Sequence, residues 1–286
     1  MSAADFTDAA LVLLGHGTTR HPGSQAPVFQ HAAQLRSRGG FADVREAFWK
    51  QEPRLAAVLA SLSARRIFLV PLFISEGYFS ERLIPQALGL GAPGRDGVRR
   101  VRRQGERTLF YCKPVGTHDA VTGLLLARAL EVLAPFPSRR APAFKETTLF
   151  VAGHGTARDP NSRRAIERQA QRIRAMDLYA DAQAVFLDEE PRIRACWALA
   201  ATRRLVVVPF FISDGLHVQQ DLPVLLGETA AVVQRRLDQG RPAWRNPTER
   251  DGKLVWLSPS VGTQPDLATL ILARVREAAA LGASAK

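Results

Sequence analysis

The chain has 286 residues, 46% of them hydrophobic and 23% charged, a size and composition that suit two soluble globular domains. Its longest apolar runs, such as residues 205–212, are strand-length and interrupted by Pro209, and Asp5 and Asp8 stand where a secretory leader is basic, so a cytoplasmic protein without a membrane span is expected. A formal charge of +12 suits an anionic partner, but no zinc-finger, basic-zipper or RNP-type motif supports nucleic acid, and the well-separated Cys112 and Cys196 exclude a disulfide framework and a zinc or iron–sulfur cluster.

The first apolar run, residues 11–14, leads straight into Gly15-His16-Gly17-Thr18 and predicts a buried parallel strand that stops at an imidazole. An amphipathic helix is expected over 27–38, a strand over 44–48, a helix over 54–63 and an apolar strand over 67–73. A helix around 81–89, a strand over 108–112 and a helix over 119–133 complete this half. Residues 135–147, with three prolines and several charges, read as an exposed linker. The same order then recurs, with strands near Leu149, Ala184, Leu205 and Leu254 and a closing helix over 265–281.

The recurrence is also literal. Gly15-His16-Gly17-Thr18 matches Gly153-His154-Gly155-Thr156 at a spacing of 138 residues. The same spacing relates Glu52-Pro53 to Glu190-Pro191, the run from Val70 to Gly77 to that from Val208 to Gly215, and Pro85 to Pro223. A single register held this long indicates an internal duplication. The expected organisation is an amino-terminal lobe over 1–134, a linker over 135–147 and a carboxy-terminal lobe over 148–286. Strands joined by helical crossovers predict an α/β fold with a four-stranded parallel sheet flanked by helices in each lobe. Two basic insertions break the rhythm at matching places, 91–107 and 235–253. The first holds Arg95, Arg99, Arg100, Arg102, Arg103 and Arg107. A charge run is ordinarily a solvated surface. Its occurrence in both copies points instead to one anionic ligand, which makes Arg99, Arg100, Arg102 and Arg103 candidate substrate-binding residues.

The candidate chemistry lies at strand ends, the rim where open α/β sheets bind ligands. His154 follows one strand, and His217 lies just beyond another, after Ser213-Asp214-Gly215-Leu216. Asp188, Glu189 and Glu190 follow a third strand on the same rim. Two imidazoles and a carboxylate together suit a metal or proton-transfer site, and Gly153, Gly155 and Gly215 allow a ligand close to the backbone. In the first copy His16 persists, but Phe79 stands in place of His217 and Lys50 in place of Asp188. A lysine there repels a cation, so only the carboxy-terminal lobe is expected to hold a complete metal site. His118 reads equally as a cleft residue or as decoration at a helix start.

These motifs, together with Asp221-Leu222-Pro223, resemble the CbiX/SirB-type sirohydrochlorin chelatases, which are class II tetrapyrrole chelatases. Nearly the whole chain is covered, since each half matches the family unit. The resemblance implies two flavodoxin-like, chelatase-like lobes in one fused, pseudo-dimeric chain that is expected to be a monomer. It implies a lyase-type activity that inserts Co²⁺ or Fe²⁺ into sirohydrochlorin without nucleotide, in cobalamin or siroheme biosynthesis. The divalent ion is then a substrate, and no prosthetic group is implied. The family's metal-binding histidines map onto His154 and His217, its acid onto Asp188 or Glu190, and its first histidine of the other lobe onto His16. In this reading His154 and His217 bind the metal and accept protons, with His16 facing the macrocycle from the other lobe. The rival readings are a tetrapyrrole or metal-ion carrier built on a chelatase fold, and a histidine phosphatase. The phosphatase lacks the arginine its phosphate needs, since Gly15 and Gly153 occupy that place.

Overall fold

The computed structural model describes residues 6–17, 22–91, 97–136, 143–156 and 160–284. The first half of the sequence runs β1 (Phe6–Gly15), α1 (Ala26–Arg38), β2 (Phe41–Phe48), α2 (Leu55–Ser61), β3 (Arg66–Pro71), α3 (Ile84–Ala87), β4 (Val101–Gln104), β5 (Arg107–Tyr111) and α4 (Val121–Leu133). The second runs β6 (Thr147–Gly153), α5 (Pro160–Ala175), β7 (Asp181–Phe186), α6 (Cys196–Leu199), β8 (Arg204–Pro209), α7 (Leu222–Leu225), α8 (Ala230–Asp238), β9 (Thr248–Arg250), β10 (Lys253–Leu257) and α9 (Leu267–Ser284). The helix expected around 81–89 begins as a π-helical turn over Phe79–Leu83, which His217–Asp221 repeats in the second half.

Among the described residues the strands form two sheets ordered β2-β1-β3-β5-β4 and β7-β6-β8-β10-β9. In each, the first four strands of that order are parallel. The central strands are buried on both faces, which is why they read as continuous apolar runs: every residue of β6 is buried, and Leu11 to Leu14 of β1 are fully so. The sheets have five strands rather than the four expected. The fifth comes from each basic insertion, where β4 and β9 pair antiparallel with β5 and β10 at the sheet edge. An edge strand tolerates charge on its open side, so the arginines hid its alternation.

The compact units do not follow the sequence halves. One comprises Met1–Val121 with Pro265–Lys286, the other Thr122–Gln264. Each half therefore gives its closing helix to the sheet of the other half. α9 packs on β3 and β5 beside α1. Its buried Arg274 donates from Nε to the Pro114 carbonyl at 3.2 Å and from Nη2 to the Thr117 hydroxyl at 2.7 Å. In the other unit Arg128 of α4 does the same to the Ser260 carbonyl (3.0 Å) and the Thr263 hydroxyl (2.8 Å). Both guanidiniums also reach a glutamate one turn on, Glu277 and Glu131, at 2.6 Å. Of the expected linker, 137–142 lie outside the described residues, and Ala143–Glu146 is a single 3-10 turn running into β6. No helix among the described residues is long and apolar enough to cross a membrane.

Candidate metal site

In the unit formed by Thr122–Gln264, the chain leaves β6 toward β7 on one side and β8 toward β10 on the other. The carboxyl ends of β6 and β8 thus flank the point where the strand order reverses, the place where such sheets open a crevice. His154 follows β6 directly. The backbone turns there at Gly155, whose φ of +59° is a conformation that favours glycine. A Cβ at Gly155 would also lie 2.8 Å from the Phe186 ring, so packing and backbone conformation both favour glycine there, while one at Gly153 would lie 2.3 Å from the tip of the Ile166 side chain, which would have to shift. The N–H of Leu187 donates to the Gly153 carbonyl at 3.0 Å and that of Asp188 to the His154 carbonyl at 3.1 Å. These bonds tie the exit of β7 to the His154 peptide and bring Asp188 to the imidazole.

His217 arrives from β8. The Gly215 carbonyl accepts the N–H groups of Val218 and Gln219 at 3.1 and 3.0 Å and so starts the π-helical turn. The two imidazoles meet with ring centroids 4.5 Å apart and planes at 82°. Phe211, buried, stands behind both, 5.6 Å from His154 and 6.2 Å from His217. Each imidazole has a carboxylate on Nδ1. His217 Nδ1 lies 2.6 Å from Asp221 Oδ2, and His154 Nδ1 lies 3.5 Å from Asp188 Oδ2, the outer limit of a hydrogen bond. An N–H donor on Nδ1 leaves Nε2 with its lone pair, the tautomer a metal needs. Burial, and then the neighbouring His217, hold the His154 imidazole below its ordinary pKa of 6.5, against the pull of Asp188. It is therefore neutral near pH 7. Among the described residues no three His, Cys, Asp or Glu side chains converge as a ready-made metal shell.

The other acids after β7 are engaged elsewhere. Glu189 pairs with Arg163 at 2.9 Å, and Glu190 accepts the Arg192 N–H at 3.0 Å. The geometry thus favours Asp188 over Glu190 as the acid beside the imidazoles. Asp221 entered the sequence reading only as part of a motif. Its four-residue spacing from His217 was the available signal, because that spacing puts both side chains on one face of a helical turn.

In the unit containing β1, the same backbone carries different chemistry. His16 donates from Nδ1 to the Gly17 carbonyl at 3.0 Å and meets Phe79 edge-on at 4.7 Å. The Lys50 N–H donates to the His16 carbonyl at 2.9 Å, as Asp188 does to His154, and its ammonium lies 5.3 Å from the Phe79 ring. Burial and then Lys50 lower the His16 pKa. His118 sits at the start of α4, where its Nδ1 accepts the Ala120 N–H at 3.0 Å. Of the basic residues expected to bind substrate, Arg100 is ion-paired with Glu81 at 2.7 Å, Arg102 donates to the Leu88 carbonyl at 2.7 Å and Arg103 to the Gly282 carbonyl at 3.3 Å, while Arg99 is exposed. Both cysteines are buried, and burial pushes the Cys112 thiol up to about 12 and raises that of Cys196 as well, which leaves neither disposed to act as a thiolate.

The CbiX family model matches the chain twice, over residues 10–132 and 148–278. A probable sirohydrochlorin cobaltochelatase of Halobacterium salinarum is 40% identical over 281 residues, covering 95% of this chain and 92% of the relative. A sirohydrochlorin cobaltochelatase of Methanopyrus kandleri is 27% identical over 143 residues, covering 46% of this chain and 95% of the relative. Among solved structures, a multi-domain Deinococcus radiodurans protein with structural similarity to chelatases and two additional novel domains superposes with a TM-score of 0.72 at 29% identity, over 94% of this chain and 55% of that one. SirB from Bacillus subtilis with Fe³⁺ superposes with a TM-score of 0.67 over 96% of this chain and 97% of that one, and at 18% identity it shows the shared fold.

Proposed function

Because the chain belongs to the CbiX family, we propose that this metal chelatase inserts Co²⁺ or Fe²⁺ into sirohydrochlorin, with no nucleotide taking part. The observation that carries the reading is the pairing of His154 and His217, two half-exposed imidazoles 4.5 Å apart at a strand-order reversal, each with a carboxylate behind it. Insertion exchanges two pyrrole protons for one divalent ion, so the protein must hold the ion loosely and take up protons as it leaves. Imidazoles do both: as ligands they are moderate, and a vacated ring nitrogen can accept a proton. Asp188 supports His154. His16 has its Nδ1–H committed to the Gly17 carbonyl, which leaves its Nε2 with a lone pair that can accept a proton. The excess positive charge draws a polycarboxylate macrocycle.

The test is the absorbance change of anaerobic sirohydrochlorin with Co²⁺ and, separately, Fe²⁺. Native protein is expected to accelerate insertion and His154→Ala/His217→Ala to lose at least about a hundredfold of that acceleration. Tight binding of the macrocycle without acceleration by either ion would mark a carrier and overturn the proposal.

A further inference from the structure

Asp221 is about half exposed, and among the described residues His217 is the hydrogen-bonding partner of its carboxylate. An exposed pair of this kind adds little to stability, so the fold gives no strong reason for the acid to be there. Its geometry is nevertheless definite: Oδ2 lies 2.6 Å from His217 Nδ1, along one π-helical turn. The duplication supplies a comparison inside the same chain. The first unit repeats the π-helical turn over Phe79–Leu83, and there the imidazole position is Phe79 and the acid position is Leu83. The backbone therefore forms without either residue. Where the imidazole is missing, so is its carboxylate.

From this we infer that Asp221 is a positioning residue: it fixes His217 as the Nδ1–H tautomer and turns Nε2 toward the metal, without itself binding the ion. A carboxylate behind a metal-bound imidazole sets ring orientation and raises basicity, and its loss weakens metal binding by about 10–100-fold. Asp188 stands in the same relation to His154 but at 3.5 Å, so the stronger hold is on His217. The site then offers the ion two imidazoles from the protein and leaves its remaining positions to water and to the incoming macrocycle, which suits an ion that must depart. The inference rests on the proposed chelatase reading, which supplies the metal.

Two measurements test it. Nitrogen-15 NMR of the metal-free native protein should show His217 protonated on Nδ1 with Nε2 bare, and an Nε2–H tautomer would overturn the inference with no variant needed. Titration with Co²⁺ alone should find Asp221→Ala about 10–100-fold weaker than native, with Asp221→Asn recovering most of the loss because the amide oxygen still accepts Nδ1–H. X-ray absorption of the cobalt-loaded native protein should count two imidazoles. Native-like cobalt affinity in Asp221→Ala, or the loss of a carboxylate oxygen from cobalt's own shell in that variant, would overturn it. Failure of the native protein to bind cobalt would count against the chelatase reading instead, and the metal-free tautomer would still decide the role of Asp221.

Discussion

His16 and His154 both release protons more readily than free imidazole. Burial is the first cause in each, and the second differs: Lys50 for His16, His217 for His154. The consequence for stability has a definite sign. With folded pKa values below the ordinary 6.5, the unfolded chain binds more protons than the folded one in the window just beneath 6.5. Stability of the metal-free protein should therefore fall as pH drops through that window and recover as it rises, with no further pH dependence from these groups above it. Urea midpoints measured from about pH 5 to pH 7 should rise with pH, and His16→Gln should flatten the slope. A midpoint that rises on acidification in the native protein, or an unchanged slope in the variant, would refute the assignment. At this scale much of the candidate site was legible. His16 and His154 stood out because glycine on both sides of a histidine after an apolar run has few structural explanations, and His217 because it lies just beyond a second apolar strand. Asp188 could not be separated from Glu190, because only the hydrogen bonds at the exit of β7 decide which acid turns to the ring.

Among the elements, the strand-to-helix rhythm was readable because parallel central strands are apolar throughout and their helices are not. The edge strands β4 and β9 escaped notice because charge there replaces alternation. The Val-Gly-Thr turns after β5 and β10, Val115–Thr117 and Val261–Thr263, stand at equivalent places in the two halves, and the structure gives a reason for the glycine in each. A Cβ on Gly262 would lie 2.0 Å from the Ile212 carbonyl oxygen, and one on Gly116 would lie 2.2 Å from that of Ile74. Backbone cannot step aside as a side-chain tip can. Gly262→Ala should therefore destabilise by about 2–3 kcal/mol in urea unfolding. Gly123 in α4 has open space around it, and Gly123→Ala should instead stabilise by about 0.5–1 kcal/mol through helix propensity alone. Equal effects from the two substitutions would mean that the close approach is not what constrains the turn.

For the molecule as a whole, the duplication was plain in the sequence but the partition into compact units was not. An apolar helix face specifies that it must be covered, not by which of two similar sheets, and α4 and α9 each settle on the sheet of the other half. The arginines that anchor them, Arg128 and Arg274, are equivalent residues meeting equivalent turns, so local sequence gives no hint of the exchange. That exchange changes what a fragment of this chain can be. A piece comprising 1–136 carries the first sheet without α9, and a piece comprising 143–286 carries the second without α4. Neither can complete a unit alone, yet each holds the helix that the other lacks. Made separately and mixed, the two pieces should fold by complementation, with a yield that depends on protein concentration, as in a heterodimer. The covalent connection turns that encounter into an event within one molecule, at an effective concentration on the order of millimolar. Helix exchange thus keeps two unlike copies mutually dependent, and the fold stays whole although one carries phenylalanine and leucine where the other carries a histidine–aspartate pair.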